Sequence, residues 1–174
     1  ANHILGKGQL SLAKYLFIVA QEDDANLDVQ NEYDFFQHLF TRVDWSRDLH
    51  FQTKTTMDTL DYSSTGEINE GSKVVCAAVG EKKRELCKDL SNLFLEDGLK
   101  PHLVMPGVLV VESEDVESVK FKLEHLELEG IALITLVDDS VFVAEDISNW
   151  LWVTFTRSNP AEDIFGLEEG IHNK

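Results

Sequence analysis

Apolar positions follow two rhythms along the chain, and the change between them predicts most of its elements. The run KYLFIVA at 14–20 is almost continuously apolar and is bounded by the polar QEDDANLD, a pattern that predicts a buried strand. In DVQNEYDFFQHLFTRV, Tyr33, Phe36, Leu39, Phe40 and Val43 recur at spacings of three and four, which is one face of a helix. Asp28 or Asn31 is suited to cap its start, and Arg42 in the last turn complements the helix dipole. From 48 to 80 the pattern predicts a short strand, a long polar loop and a second apolar strand at 73–79. Pro106-Gly107 turns the chain into a strand at 108–112. The segment GEKKRELCKDLSNLFLEDG carries a weak helical signal, and DVESVKFKLEHLELEG fits both periods, with the helix preferred.

The first rhythm then returns. GIALITLVDD repeats the buried-strand signal, and ISNWLWVTFTR repeats the aromatic helix, with Ser148 or Asn149 as cap. Each helix runs into an aromatic-Thr-Arg corner that reaches an Asp six residues after the Arg: LFTRVDWSRDL and TFTRSNPAEDI. A duplicated strand–helix unit of this kind predicts a largely parallel Rossmann-like or flavodoxin-like α/β sheet with helices on both faces, because parallel neighbours are normally joined by a helical crossover. With 174 residues, residues 1–174 are expected to form a single α/β domain.

Composition narrows the chemistry. A formal net charge of −17 repels phosphate backbones and anionic lipid, so neither nucleic acid nor membrane is an expected partner. No apolar run reaches the ~18 residues of a membrane span. The two cysteines, Cys76 and Cys87, and six scattered histidines show no metal-ligand spacing, which predicts no metal site and suits a reducing, cytoplasmic setting.

Four groups of residues invite a chemical reading. GEINEGSK at 66–73 has the Gly-x4-Gly spacing of a phosphate loop, but it ends Ser-Lys and runs into an apolar strand instead of a helix; a turn accounts for it better. No GxGxxG follows either strand, so the dinucleotide reading fails. The pairs Asp23-Asp24 and Asp138-Asp139 follow strand ends, where ligands bind open parallel sheets, although acids there also favour the next helix N-terminus. Arg42 with Asp48, and Arg157 with Asp163, are expected to brace their corners as ion pairs; binding a carboxylate substrate is the alternative. Trp150 and Trp152 are expected in packing or interfaces.

Taken in order, LSLAKYLFIVAQEDD, LFTRVDWSRDL, MDTLDYSS and GSKVV resemble the C-terminal domain of UbiD-type decarboxylases, enzymes of the polyprenyl-hydroxybenzoate decarboxylase kind. The resemblance covers roughly residues 4–79, and WLWVTFTRSNPAEDIFG is similar to a subgroup of longer members, some tied to menaquinone biosynthesis. It implies a parent carboxy-lyase acting on aromatic or unsaturated acids with prenylated FMN. The flavin and the catalytic Glu-Arg-Glu set are then expected mainly in an N-terminal region of the same polypeptide. The chain itself is expected to be an excised C-terminal domain with no catalytic residue, no cofactor of its own and no activity alone, which forms a wall of the substrate cleft and helps build a homo-oligomer. Carried over by position, Lys7 approaches the flavin, while Leu10, Ser11, Met57 and Thr59 line the substrate pocket. After Gly-Ser-Lys the chain reads VVCAAVGEKKREL where the best-known members carry a DAT-like stretch. The rival reading from another class is a non-catalytic ligand-sensing or assembly module; a flavodoxin-like electron carrier lacks its Ser/Thr-rich phosphate loop.

Overall fold

Six short strands and six α-helices make up the described part of the computed structural model, which covers residues 1–63, 66–91, 99–123, 126 and 128–167. In chain order they are α1 (Asn2–Leu5), β1 (Tyr15–Val19), α2 (Glu32–Arg42), β2 (Leu49–Thr56), β3 (Glu70–Ala78), β4 (Pro101–Met105), β5 (Val108–Glu112), α3 (Val116–Leu123), β6 (Leu133–Val137), α4 (Ser140–Glu145), α5 (Ile147–Arg157) and α6 (Pro160–Asp163). Single 3-10 turns occupy Gln9–Leu12 and Gln21–Asp23. The chain divides into two compact units, one of residues 1–27, 42–83 and 152–164, the other of 28–41, 84–151 and 165–174.

The first unit is built on a three-stranded sheet of order β1-β3-β2. β3 lies parallel to β1, with Phe17 opposite Cys76, and antiparallel to β2, with Phe51 opposite Val74. Central β3 is the buried strand, whereas β1 is half-buried throughout. Strand β2, LHFQTKTT, is mostly exposed. Its alternation of Phe, Thr and polar residues suits an edge, and Lys54 on it pairs with Glu70 at 3.0 Å. Tyr15 and Phe17 of β1 both meet the edge of Phe155, at 4.8 and 5.3 Å between ring centres.

The second unit has its own sheet, of order β4-β5-β6. β4 and β5 form an antiparallel hairpin through Pro106-Gly107, and Gly107 takes the positive φ of 79° that the turn requires. β5 lies parallel to β6, and α3 is the crossover between them. Leu109, Val111, Val119 and Leu123 close over one core, with Leu103, Ile134 and Leu136 around them. A second cluster is aromatic: Phe36 stacks on Phe40, and both meet Trp150 edge-on. The Trp150 indole N–H donates to Thr135 Oγ1 at 3.1 Å. Asn31 caps α2 by accepting from the Asp34 amide, and the Arg84 guanidinium donates to the Phe40 carbonyl near the other end.

The expected largely parallel Rossmann-like sheet is not what forms. Each sheet mixes one parallel with one antiparallel pairing. A strand, an acidic linker and an aromatic helix do occur twice, but β1 and β6 lie in different sheets, each at an edge. The reason lies in the segment after each helix. After α2 the chain supplies a polar strand that can only be an edge, and it pairs antiparallel with the apolar β3. After α5 no further strand occurs among the described residues. Four elements also went unpredicted: α1, β4, α4 and α6. The cap of α5 is Asp146, whose carboxylate accepts the Ser148 amide at 2.6 Å, in place of Ser148 or Asn149.

Burial separates the two neighbouring tryptophans. Trp150 is fully buried, while Trp152 is 54% exposed under the Arg157 guanidinium at 5.0 Å. Trp150→Ala is therefore expected to lower stability by about 3–5 kcal/mol, and Trp152→Ala by no more than about 1 kcal/mol. Urea unfolding midpoints of the two variants check this ordering.

Candidate functional site

Three of the segments singled out in the sequence, those bearing Ser11, Met57 and Asn159, meet in the first unit around the first residues of β3. The first Thr-Arg corner meets the other end of that strand through the Asp48 carbonyl and the Ala77 amide. A strand normally tolerates a lysine at its rim, where the ammonium reaches water. Here Lys73 is only 3% exposed, and its ammonium donates to the backbone carbonyl of Ser11. Burial holds its pKa below the ordinary lysine value. Ser72, one residue earlier, donates its hydroxyl to Asn159 Oδ1 and accepts the Ala161 amide at 2.8 Å. Its own amide donates to the same Asn159 oxygen at 3.0 Å. Gly71 completes the set: a Cβ there would run into Met57 Sδ, so the Met57 side chain lies directly against the glycine backbone. Gly71, Ser72 and Lys73 thus each hold a different segment.

A second buried lysine sits just before β1. Four oxygens surround the Lys14 ammonium: the Asp61 carboxylate at 2.8 Å, Ser63 Oγ at 3.0 Å, and the carbonyls of Thr156 and Ser158 at 3.2 and 2.8 Å. Burial alone raises the Asp61 carboxyl, but hydrogen bonds from Lys14 and Ser63 outweigh it and keep the group below the usual carboxylate range. Tyr15, next in the chain, shares a hydrogen bond with the Ser158 hydroxyl. Its phenol is held above its ordinary pKa, chiefly by burial.

Both Thr-Arg corners feed into this unit, and their hydrogen bonds match. Asp48 Oδ2 accepts the Asp44 amide at 2.9 Å while the Asp48 amide donates to the Asp44 carbonyl at 2.8 Å. In the second corner Asp163 Oδ2 accepts the Asn159 amide at 2.6 Å, and the Asp163 amide returns to the Asn159 carbonyl at 2.9 Å. The Asp that ends each motif therefore closes a five-residue loop on its own backbone. The arginines have further neighbours: Arg42 Nε is 4.0 Å from Asp23, Arg157 stacks on Trp152, and Asp48 is held by Arg47 at 2.6 Å.

The remaining candidates divide by exposure. Lys7 and Thr59 are exposed, and Leu10 is 66% exposed on the Gln9–Leu12 turn. Ser11 is half-buried, with its hydroxyl on the Gly8 carbonyl at 2.6 Å, and Met57 is buried over Gly71. Asp23 accepts the Gly80 amide at 2.7 Å, and Asp139 caps α4 through the Phe142 amide; both have structural work. Residues 66–69 form a turn that leads directly into β3, so the phosphate-loop spacing has no helix behind it. The Cys76 thiol is pushed up to about 12 by burial and the Asp48 charge, and is no nucleophile at neutral pH. Among the described residues no three His, Cys, Asp or Glu side chains gather as metal ligands, and no helix is long and apolar enough to cross a membrane. A shallow depression of about 380 Å³ lies over the far end of β2 and β3, lined by Lys54, Thr55, Thr56, Ile68, Asn69 and Glu70.

Lys14, Asp61, Ser63 and Asn159 stand out only in the structure. The available sequence signal was a lysine abutting an apolar strand in both AKYLFIV and SKVVCAAV, since a charge in that setting needs a buried partner.

This gathering of short motifs defines a class. Residues 1–78 match the family model of the 3-octaprenyl-4-hydroxybenzoate carboxy-lyase C-terminal domain. Relatives extend the likeness across almost the whole chain. Proteins of Chlamydia muridarum and Chlamydia trachomatis, both called uncharacterized, are each 33% identical over 165 residues, covering 94% of this chain and 28% of their own length. A protein of Chlamydia pneumoniae, named as a subunit of 4-hydroxybenzoate decarboxylase, is 32% identical over 174 residues, 96% of this chain and 28% of that protein. The chain thus spans little more than a quarter of these relatives. No solved structure gives a significant match.

The buried ion pair makes a pH-dependent contribution. Asp61 has a folded pKa below its unfolded value, so its stabilisation is present above the unfolded value of about 4 and is lost as pH falls through the folded one. Acid unfolding followed by circular dichroism should show that slope, and Asp61→Asn should flatten it. Lys14→Met, which strands the carboxylate, should cost about 3–5 kcal/mol, with part of it recovered in the Lys14→Met/Asp61→Asn double variant.

Proposed function

We propose that the chain is the substrate-cleft and oligomer-forming part of a UbiD-like non-oxidative decarboxylase of aromatic or unsaturated carboxylic acids, of the quinone-biosynthesis type, acting in the cytoplasm. One observation carries this reading: the Gly71-Ser72-Lys73 motif meets two of the other family motif segments, holding Ser11 through Lys73 and Met57 through Gly71. The Chlamydia pneumoniae relative, named for 4-hydroxybenzoate decarboxylase, points to the same chemistry.

Prenylated FMN would supply the electron sink for loss of carbon dioxide. In this reading it is held mainly by an N-terminal flavin-binding region of the same polypeptide. Toward it the chain offers Lys7, an exposed ammonium beside Gly8, whose φ of 67° turns the backbone there. Such a group can meet an anion presented from another part of the protein; it cannot by itself cradle a flavin. Leu10, Ser11 and Thr59 would form the wall, and the exposed Leu60, Tyr62 and Ile68 would serve the oligomer contact.

The test compares two proteins supplied with prenylated FMN: the 174-residue chain, and the longer polypeptide joining it to the flavin-binding region. The longer protein should release carbon dioxide from 4-hydroxybenzoate-type acids, and the chain alone should neither do so nor retain flavin. Stoichiometric flavin on the chain alone, or no turnover of any aromatic or unsaturated acid by the longer protein, overturns the reading.

A further inference from the structure

We propose that Lys73 is a positioning residue for the substrate pocket: its buried ammonium, hydrogen-bonded to the Ser11 carbonyl, holds the Gln9–Leu12 turn so that Leu10 and Ser11 face the substrate acid. This deepens the decarboxylase reading above and rests on it. Few hydrogen bonds lie within the turn itself. It is a single 3-10 turn whose internal bonds are Ser11 N–H to Gly8 O at 3.1 Å, Ala13 N–H to Leu10 O at 3.2 Å, and the Ser11 hydroxyl to Gly8 O. The turn has no fully buried residue, and Leu10 projects outward. Gly8 before it has positive φ and open space around its α-carbon, and glycine is the residue least restricted in backbone conformation.

Lys73 is the opposite, anchored on the central strand between Ser72, which is tied to Asn159, and Val74, whose amide donates to the Lys14 carbonyl at 2.9 Å. The Ser11 carbonyl is the ammonium's hydrogen-bond acceptor among the described residues. An ammonium so deeply buried loses much of its hydration, so the bond to the turn is strongly favoured over release. The charge makes the tether strong, and the rigid strand gives it a fixed address. Gly71, two residues earlier on the same strand, seats Met57. One strand segment thereby sets two of the candidate pocket segments relative to each other.

The experiment uses Lys73→Met, which keeps the length and removes the charge, and Lys73→Arg, which restores a cationic donor. Hydrogen exchange is read on both variants of the full polypeptide, and turnover of the substrate acid is read with prenylated FMN bound. The Ser11 and Ala13 amides should exchange roughly 10-fold faster in Lys73→Met, with β3 amides at wild-type rates. KM should rise roughly 5- to 10-fold with kcat little changed, and Lys73→Arg should recover at least part of both. Exchange faster throughout β3 would mean that Lys73 serves the whole unit, and unchanged KM in an active protein would mean that the turn does not touch substrate. Either result overturns the positioning role and leaves the decarboxylase reading standing. An inactive wild-type protein instead brings down that reading and the pocket role with it, whatever the exchange rates show.

Discussion

An ammonium taken out of water must find its hydration replaced in full, and Lys14 imposes that condition on the first unit. The idealised cost of burying such an ion is large, and several kcal/mol remain even after relaxation. The cost is offset only when Asp61, Ser63 and the carbonyls of Thr156 and Ser158 arrive together. Those oxygens come from the loop after β2 and from the end of α5, with Ser63 lying 49 residues and Ser158 lying 144 residues further along the chain. The requirement therefore ties the start of β1 to both the loop and the second corner. Tyr15 on Ser158, and Ser72 on Asn159, tighten the same corner from β1 and β3.

This explains why the chain contains the Thr-Arg corner twice. The two copies share one backbone device, an Asp whose carboxylate and amide close on the residue four positions earlier. Their surroundings differ. The first sits ahead of β2, where the Asp48 carbonyl accepts the Ala77 amide of β3 at 3.0 Å. The second brings Asn159 to Ser72 and the Ser158 carbonyl to Lys14. Matching local turns have been put to separate structural uses.

Local structure was legible where the period was unambiguous. KYLFIVA, DFFQHLFTR, VLVVE and LWVTFTR each form the element their spacing predicts, because side-chain direction follows from a period of two or 3.6 whatever the rest of the chain does. The sheets were not legible. A continuous apolar run does not say whether its strand is central or at an edge, and here the centres are β3 and β5 while KYLFIVA and LITLV are edges. Nor can periodicity detect PHLVM, five residues that become a strand only because β5 folds back on it. At the site the order of the motifs was readable, and it led to the family found over residues 1–78. The partners of Lys14 and Lys73 were not, since nothing in AKY or GSK specifies which distant oxygen will meet the ammonium.

The same contrast bears on the cleft-wall role proposed above. The polar groups of the motifs are largely consumed by one another: Lys14 by Asp61, Ser72 by Asn159, Lys73 by Ser11. Groups so committed have few donors left for a substrate, and a buried charge moved from its partner would cost more than a weak ligand returns. What the network leaves outside itself is the Lys7–Leu10 stretch and Thr59, exposed side chains on short segments whose backbones run into fixed points at Ser11 and Met57. Rigid polar interior and exposed, tethered rim are what a cleft wall requires, because a wall acts through the position of its surface and not through the reactivity of its interior. The motifs that identify the family and the side chains suited to meet a substrate are, on this view, adjacent but different residues.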